Sequence, residues 1–341
     1  MSRLRWGILA TGHITHKLAQ GILHSETGEL FAVGSRAQTT ADHWAAKYGV
    51  QHSHGSYEAL LNNAEVDAVY IASPNSQHAG HIIRAAQAKK HILCEKPLAS
   101  NVEEAQMAID ACRSHGVFMF EAFAWRTHPS THRLVELIKK DAIGEIKLIE
   151  ASFGFSLHGQ PENIRMVNAL SGGSIMDVGC YPVSMAQLIA GTTLGREFSE
   201  PNDVHAFGRV GAGGVDEWAT ATMQFDNDVV ASVKSAIQCE LGRSVVIFGE
   251  KGKLFIESPW LADGRFRLEA EGVAPELILC ESDKTAYSHE VDVLGECVRK
   301  GLVEAPSPAM SWQESLAQQR TVDRWRKAVG VRFACDNDNP A

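Results

Sequence analysis

The sequence predicts two domains of different class: an α/β, doubly wound Rossmann domain first, then an α+β domain built on a large, mainly antiparallel open sheet. Three observations predict this. Early in the chain, short apolar runs alternate with helical patterns, as in parallel strands joined by crossover helices. From residue 145 onward the pattern changes to extended, alternating segments separated by turn signals. At 341 residues the chain also exceeds the usual size of a single core. The expected division is 1–124, then 125–333, then a frayed tail over 334–341.

The first strand, residues 5–10, enters Ala10-Thr11-Gly12-His13-Ile14-Thr15 and then a helical pattern through Leu18 and Ile22. A strand, tight turn and helix N-terminus of this kind holds a pyrophosphate on backbone N–H groups. Ala10 and Thr15 stand where Gly-x-Gly-x-x-Gly has glycine, which leaves Gly12 for close backbone approach. The second strand, 30–34, ends at Ser35-Arg36, about 20 residues after the turn. An NAD enzyme carries Asp or Glu there to grip the ribose 2′-hydroxyl. A hydroxyl and a guanidinium suit a 2′-phosphate instead, because Arg binds it bidentately. NADP is therefore expected ahead of NAD; the other reading is an exposed arginine at a strand end.

Helical patterns at 40–48 and 57–61 precede a strand at 66–72, which opens into Ser73-Pro74-Asn75-Ser76-Gln77-His78. A helix at 81–90 leads to the strand in Ile92-Leu93-Cys94-Glu95-Lys96-Pro97-Leu98. Glu95 and Lys96 fall at or just past its carboxyl end, where open α/β sheets place ligands. The alternative is a solvated ion pair at a surface strand end. Pro97 ends the pairing, and its peptide bond is open to cis geometry. A helix at 102–115 and a strand at 117–120 complete the domain near Phe123.

The motifs Gly-Ile-Leu-Ala-Thr-Gly-His-Ile at 7–14, Ser35-Arg36, Ser73 to His78, Cys94-Glu95-Lys96-Pro97 and Glu121-Ala122 follow in order. Together they resemble the glucose-fructose oxidoreductase, inositol dehydrogenase and rhizopine-catabolism protein (Gfo/Idh/MocA) family over essentially the whole length. The resemblance implies a nicotinamide site served by Ala10, Thr11, Gly12, His13, Ile14, Ser35, Arg36, Ser73, Pro74, Asn75, His78, Glu95 and Lys96. Within it, Glu95 and Asn75 would lie near the ribose or nicotinamide, His78 beside them, and Lys96 would face substrate.

In the second half, extended segments at 145–155, 204–210, 218–225, 229–237, 245–248 and 253–257 read as antiparallel hairpins in one sheet, with Asp226-Asn227-Asp228 and Lys251-Gly252 as turns. Such a sheet buries its second face either on helices or on another copy. The resemblance implies a homodimer or homotetramer.

Between these strands, Gly172-Gly173-Ser174-Ile175-Met176-Asp177-Val178-Gly179-Cys180-Tyr181-Pro182 runs into an apolar helix at 183–189. If helical geometry begins by Ile175, Asp177 and Tyr181 are i and i+4 and point to one side. The bland reading makes Asp177 a dipole-favoured N-terminal charge and Tyr181 a core residue. The resemblance favours a catalytic pair, since family members carry Asp-x-x-x-His or Asp-x-x-x-Tyr here. The Tyr form resembles the dihydrodiol, xylose and glucose-fructose branch. Trp125-Arg126-Thr127-His128-Pro129 and Asn163-Ile164-Arg165 match that branch too, implying that Arg126 serves the coenzyme and Arg165 the substrate. Each arginine equally suits a domain-interface salt bridge. The chain ends with an amphipathic helix at 312–329.

Composition narrows the partners. A net charge of −9 without a basic block argues against nucleic acid, and no run is long enough to span a bilayer. The seven scattered cysteines have no Cys-x-x-Cys pair, which suggests a reducing cytoplasm rather than disulfides or zinc. No apolar run of adequate length follows Arg3 and Arg5, so no secretory leader is expected. The histidines are too dispersed to propose metal ligands.

The expected activity is NADP-dependent hydride transfer between a sugar-like hydroxyl carbon and the nicotinamide, with an aldose as substrate. Tyr181 would be the acid/base. Lys96, as a cation, would lower the tyrosine pKa and polarise the substrate oxygen, and Asp177 would orient Lys96 or a substrate hydroxyl. Ketosugar reduction, trans-dihydrodiol oxidation, NAD-dependent glycoside cleavage and dinucleotide sensing are the rival readings; the last needs no Lys-Tyr pair.

Overall fold

The computed structural model describes residues 3–336, which pack as two compact units. The first takes residues 3–99, 103–127 and 283–315; the second takes 100–102, 128–282 and 316–336.

The first unit carries a parallel sheet of β1 (Leu4–Leu9), β2 (Gly28–Gly34), β3 (His52–His54), β4 (Ala68–Ile71), β5 (His91–Glu95) and β6 (Met119–Ala122), in the order β3-β2-β1-β4-β5-β6. The helices between them are α1 (His13–Leu23), α2 (Gln38–Tyr48), α3 (Tyr57–Leu61), α4 (His78–Gln87) and α5 (Val102–His115), and α6 (Ala124–Thr127) follows β6. This is the doubly wound Rossmann arrangement. β4 reads as a continuous apolar run because all four of its residues are buried. The strand order reverses between β1 and β4, so the segments after β1, β4 and β5 leave the sheet at its ligand-binding edge. Glu103 and Glu104 start α5, and Arg113 and His115 end it, as the helix dipole favours.

The second unit carries β7 (Ile146–Ser156), β8 (Asp203–Val210), β9 (Asp216–Gln224), β10 (Val230–Ala236), β11 (Gln238–Gly249), β12 (Gly252–Ile256), β13 (Arg265–Ala270) and β14 (Glu276–Leu279). Their order is β14-β13-β12-β11-β7-β10-β9-β8 in an open sheet. It is mainly antiparallel, but β7 and β10 pair in parallel, which corrects the expectation of hairpins throughout. They are far apart in sequence, so no tight turn forces them antiparallel. Two helices of this unit are α7 (Pro129–Lys139) and α8 (Cys180–Thr193). Ile149 and Ala151, Ala219, Ala221 and Met223, Ala231 and Val233, and Val245 and Ile247 are buried on one face, where α8 packs against β7 and β10. The other face is mixed: it exposes Glu150, Thr220, Thr222 and Lys234, and also Trp218 on β9 and Phe207, which pairs with Thr220 from β8.

The helix α9 (Ala286–Arg299) brings the chain back to the first unit, a return that a single cut after residue 124 does not anticipate. Its Val291 and Leu294 join Trp6, Ile22 and Val33 in the core. Gly21 permits the approach, since a Cβ there would stand 2.7 Å from Tyr287 Cβ. Asp292 Oδ1 accepts the Glu26 and Thr27 N–H groups at 2.8 and 3.1 Å, and Lys284 donates to Asp292 and Glu26. The final helix, α10 (Trp312–Val329), has the expected bounds. The expected frayed tail is corrected over residues 334–336: fully buried Arg326 binds Asp323 at 3.0 Å and Asp336 at 2.5 Å. The rest of that tail, 337–341, lies outside the described residues. No helix among the described residues is long and apolar enough to cross a membrane.

Candidate functional site

Each unit holds its own group of the residues singled out from sequence. In the first unit, β1 ends at Leu9 and the chain turns at Ala10, whose φ of 89° lies in the left-handed region that favours glycine. The alanine thus keeps the backbone turn of the fingerprint's first glycine at a cost in strain. Gly12 caps α1, and a Cβ there would meet nothing within 4 Å. The α1 N-terminus has no side-chain cap and no acidic residue in its first turn, so its N–H groups and dipole suit an anion. Thr15, at the third glycine position, is buried and donates to Gly12 O at 2.6 Å while accepting from Trp44 Nε1 at 3.0 Å. Its hydroxyl is satisfied, so the departure from the motif leaves no orphaned group.

Ser35 Oγ lies 3.4 Å from Thr11 Oγ1, joining the end of β2 to this turn. Arg36 follows it and is exposed. This donor set fits a dinucleotide carrying a 2′-phosphate: backbone N–H groups for the pyrophosphate, and a hydroxyl and guanidinium for the further phosphate.

After β4, Ser73 and Pro74 lead into a 3₁₀ turn at Asn75–Gln77 and into α4. His78 has no exposed surface; its ring nitrogens lie 2.8 Å from Ser73 O and Pro97 O. Burial lowers its pKa, while those two carbonyls oppose the loss of a proton. His78 therefore ties the β4 turn to the β5 turn, the two segments that the resemblance places at the coenzyme. The Lys96-Pro97 bond between them is cis.

Glu95 ends β5 half-buried. Its Oε1 accepts the Tyr70 hydroxyl at 2.5 Å, and its Oε2 accepts Lys96 N at 3.3 Å. Burial, then the charge of Glu95, pushes the Tyr70 hydroxyl well above its ordinary pKa, which keeps it a donor. Lys96 is half-buried. Arg126 is fully buried in an ion pair with Glu314, with Nε donating to Pro308 O at 2.6 Å. The salt-bridge reading thus describes Arg126, and the pair lies within the first unit.

In the second unit, residues Ile175–Gly179 form a π-helical turn that runs into α8. Helical geometry does begin at Ile175, but with wider i→i+5 turns, which recur at functional sites. Asp216 on β9 caps this start: its buried Oδ2 accepts Ser174 Oγ at 2.5 Å and Ile175 N at 2.8 Å. Asp177 Oδ2 accepts Arg165 Nε at 2.6 Å. Tyr181 is half-buried beside Phe153, edge-on at 5.3 Å, and Trp260 at 5.6 Å. Phe153 and Trp260 stack at 6.2 Å, and Trp260 Nε1 donates to Ser152 O at 3.1 Å. Asp177, Tyr181 and Arg165 therefore belong to one neighbourhood bounded by aromatic rings.

Sequence reasoning missed Phe153, Trp260 and Asp216. The alternation of Phe153 and Phe155 along β7 is a usable signal, whereas Trp260 sits in a short 3₁₀ turn without periodicity.

Comparison with known proteins adds three findings. Residues 4–123 match the model of the oxidoreductase family with an NAD-binding Rossmann fold, and residues 131–255 match the GFO/IDH/MocA C-terminal domain. An NADP-dependent D-xylose 1-dehydrogenase from Haloferax volcanii is 32% identical, over 98% of this chain and all of the relative. A trans-1,2-dihydrobenzene-1,2-diol dehydrogenase from Danio rerio is 30% identical, over 98% of this chain and 99% of its own. Among solved structures, an aldose-aldose oxidoreductase from Caulobacter crescentus complexed with glycerol superposes with a TM-score of 0.84 at 25% identity, covering 96% of this chain and 97% of the other. A 3-ketoreductase from Actinomadura kijaniata in complex with NADP and TDP-benzene has the same fold, with a TM-score of 0.85 at 24% identity, covering 96% of this chain and 98% of the other.

Proposed function

The chain belongs to the GFO/IDH/MocA oxidoreductase family, and from that premise we propose that it is an NADP-dependent dehydrogenase oxidising an aldose or a similar sugar-like alcohol. Bound NADP would supply the hydride acceptor; the chain must hold it, orient the alcohol and take one proton.

The α1 N-terminus and Gly12 would hold the pyrophosphate, and Ser35 with Arg36 the 2′-phosphate. The single observation that carries the coenzyme reading is the Thr11–Ser35 hydroxyl contact, which joins the end of β2, one residue before Arg36, to the glycine turn. Lys96 would polarise the substrate oxygen, Tyr181 would accept the hydroxyl proton, and Asp177 with Arg165 would orient the sugar's remaining hydroxyls. Phe153 and Trp260 offer an apolar wall for the carbon face of a sugar ring. That same wall favours a second reading, oxidation of a trans-dihydrodiol, whose flat ring suits aromatic contact.

The seven free cysteines suit a reducing cytoplasm. The exposed Phe207 and Trp218, 80% and 39% exposed, suit burial of the open sheet face against a second copy, as a dimer or tetramer.

The testing experiment is absorbance at the reduced-nicotinamide band with NADP or NAD and a panel of aldoses, polyols and dihydrodiols. Aldose-dependent reduction of NADP supports the reading; reduction with dihydrodiols alone selects the second one. No reduction with any alcohol contradicts both.

A further inference from the structure

Glu121 on β6 is 1% exposed and pairs in register with Cys94, one residue before Glu95. Its Oε1 accepts the Leu98 N–H at 2.9 Å, so the carboxylate grips the far end of the Lys96-Pro97-Leu98 turn. Its Oε2 is buried without a hydrogen-bond partner. The groups that act on it come from three sides: Lys96 beyond β5, the Cys94 thiol on β5, and Glu314 with the Ser315 hydroxyl on α10. Glu314 is itself ion-paired with Arg126.

An ionised carboxylate accepts a backbone N–H about twice as strongly as a neutral acid does. It also sets a negative charge behind the Lys96 ammonium. Once protonated, Glu121 keeps a weaker acceptor and adds an O–H donor beside an oxygen that already lacks a partner.

We propose that Glu121 is a positioning residue for the reaction: its ionised carboxylate holds the Lys96-Pro97-Leu98 turn and balances the Lys96 ammonium, and its protonation slackens that turn and lowers turnover. The proposal rests on the reading that Lys96 serves the substrate. Burial pushes this carboxyl up to about 7; the Ser315 hydroxyl and the Leu98 N–H pull it back, Glu314 adds to the rise, and Lys96 opposes it. The switch therefore falls in the neutral range, with the active form on its alkaline side.

The test is kcat and KM for the productive alcohol from about pH 5.5 to about pH 8.5, a range above ordinary carboxylates, in wild type, Glu121→Gln and Ser315→Ala. Coenzyme affinity is measured alongside by fluorescence titration, and the protonated-carboxyl band by infrared difference spectroscopy on the coenzyme-free protein. In wild type, kcat should climb through an ascending limb near neutrality. In Glu121→Gln, whose amide oxygen still accepts from Leu98, that limb and the infrared band should vanish, and plateau kcat should drop at least about tenfold. Coenzyme affinity should stay within about twofold, because the binding turn at Gly12 is untouched. Ser315→Ala, which leaves Glu121 in place, should move the limb to higher pH by removing a nearby hydroxyl that favours the carboxylate.

A limb unchanged in both variants overturns the proposal, as does a wild-type protein in which no carboxyl titrates across this range. A wild type that turns over no alcohol overturns the oxidoreductase reading and the role given to Glu121 with it. An active enzyme whose limb ignores both substitutions overturns the Glu121 proposal alone.

Discussion

Arg165 Nε donates to Asp177 Oδ2 at 2.6 Å, with the Asp177 side chain 13% exposed and that of Arg165 39% exposed. The arginine comes from a 3₁₀ turn and the aspartate from the π-helical turn before α8, so the bond fixes an irregular loop to the element that carries Tyr181.

Breaking that pair should weaken use of the sugar. A hydrogen bond to a charged group contributes about 1.5–3 kcal/mol, so Arg165→Ala should lower kcat/KM about ten- to a hundredfold, mainly through KM. Arg165→Lys should recover only part, because an ammonium lacks the planar fork. Steady-state kinetics with a parallel coenzyme titration check this; equal losses in coenzyme binding would mean that Arg165 supports the fold rather than the substrate.

Arg36 is exposed directly after the buried Ser35. If it grips the 2′-phosphate, Arg36→Ala should reduce the preference for NADP over NAD by about one to two orders of magnitude. Comparable losses for the two coenzymes would remove Arg36 from that role.

Glu290 on α9 is fully buried, and neither of its carboxylate oxygens has a hydrogen-bond partner. Burial first, and the charge of Glu95 second, push its pKa well above the ordinary carboxylate range. The folded chain then keeps a proton that the unfolded chain gives up. This contribution to stability is complete below the unfolded value and is lost as pH rises toward the folded one, at up to about 1.4 kcal/mol per pH unit. Glu290→Gln should flatten that decline, so its stability relative to wild type should improve between about pH 5 and about pH 8 in urea unfolding. Parallel curves for the two proteins would show that Glu290 ionises as freely in the folded chain as in the unfolded one.

Arg326 is 0% exposed between Asp323 and Asp336. Removing one partner from a buried ion pair costs about 3–5 kcal/mol. Asp336→Ala should fall toward the lower end of that range, because Asp323 remains. Thermal unfolding reads the loss; an unchanged Tm would mean that residues 334–336 contribute nothing to the fold.

Much of the architecture was legible in residue pattern alone. The strands of the parallel sheet are short apolar runs, except β3, whose His-Ser-His has no apolar signal and pairs only as an edge. β13 and β14 were missed: β13 alternates Arg265, Arg267 and Glu269 with Phe266, Leu268 and Ala270 over only six residues, and β14 is four residues long. α9 was missed because it buries Glu290 and Asp292 on the face that should read as apolar. Its return to the first unit depends on contacts such as Asp292 with Thr27, which no local pattern encodes. At the site, spacing brought forward Asp177 and Tyr181, but the aromatic ring neighbours come from distant segments. His78 and Arg126 both make buried bonds that pattern alone does not encode: His78 to the carbonyls of Ser73 and Pro97, and Arg126 to Pro308 O and to Glu314, a salt bridge as one of its two readings expected, though within the first unit.

The central claim is that Tyr181 takes the proton from the alcohol. Tyr181→Phe keeps the ring that packs on Phe153 and Trp260 and deletes only the hydroxyl. The decisive measurement is turnover of this variant with NADP and the productive alcohol, on protein shown to be folded and to bind coenzyme. A loss of about 10²–10⁴-fold, with coenzyme affinity barely changed, is the predicted result. Turnover within about threefold of wild type, far short of the loss for a deleted acid/base, would contradict the account and leave Tyr181 as a packing residue.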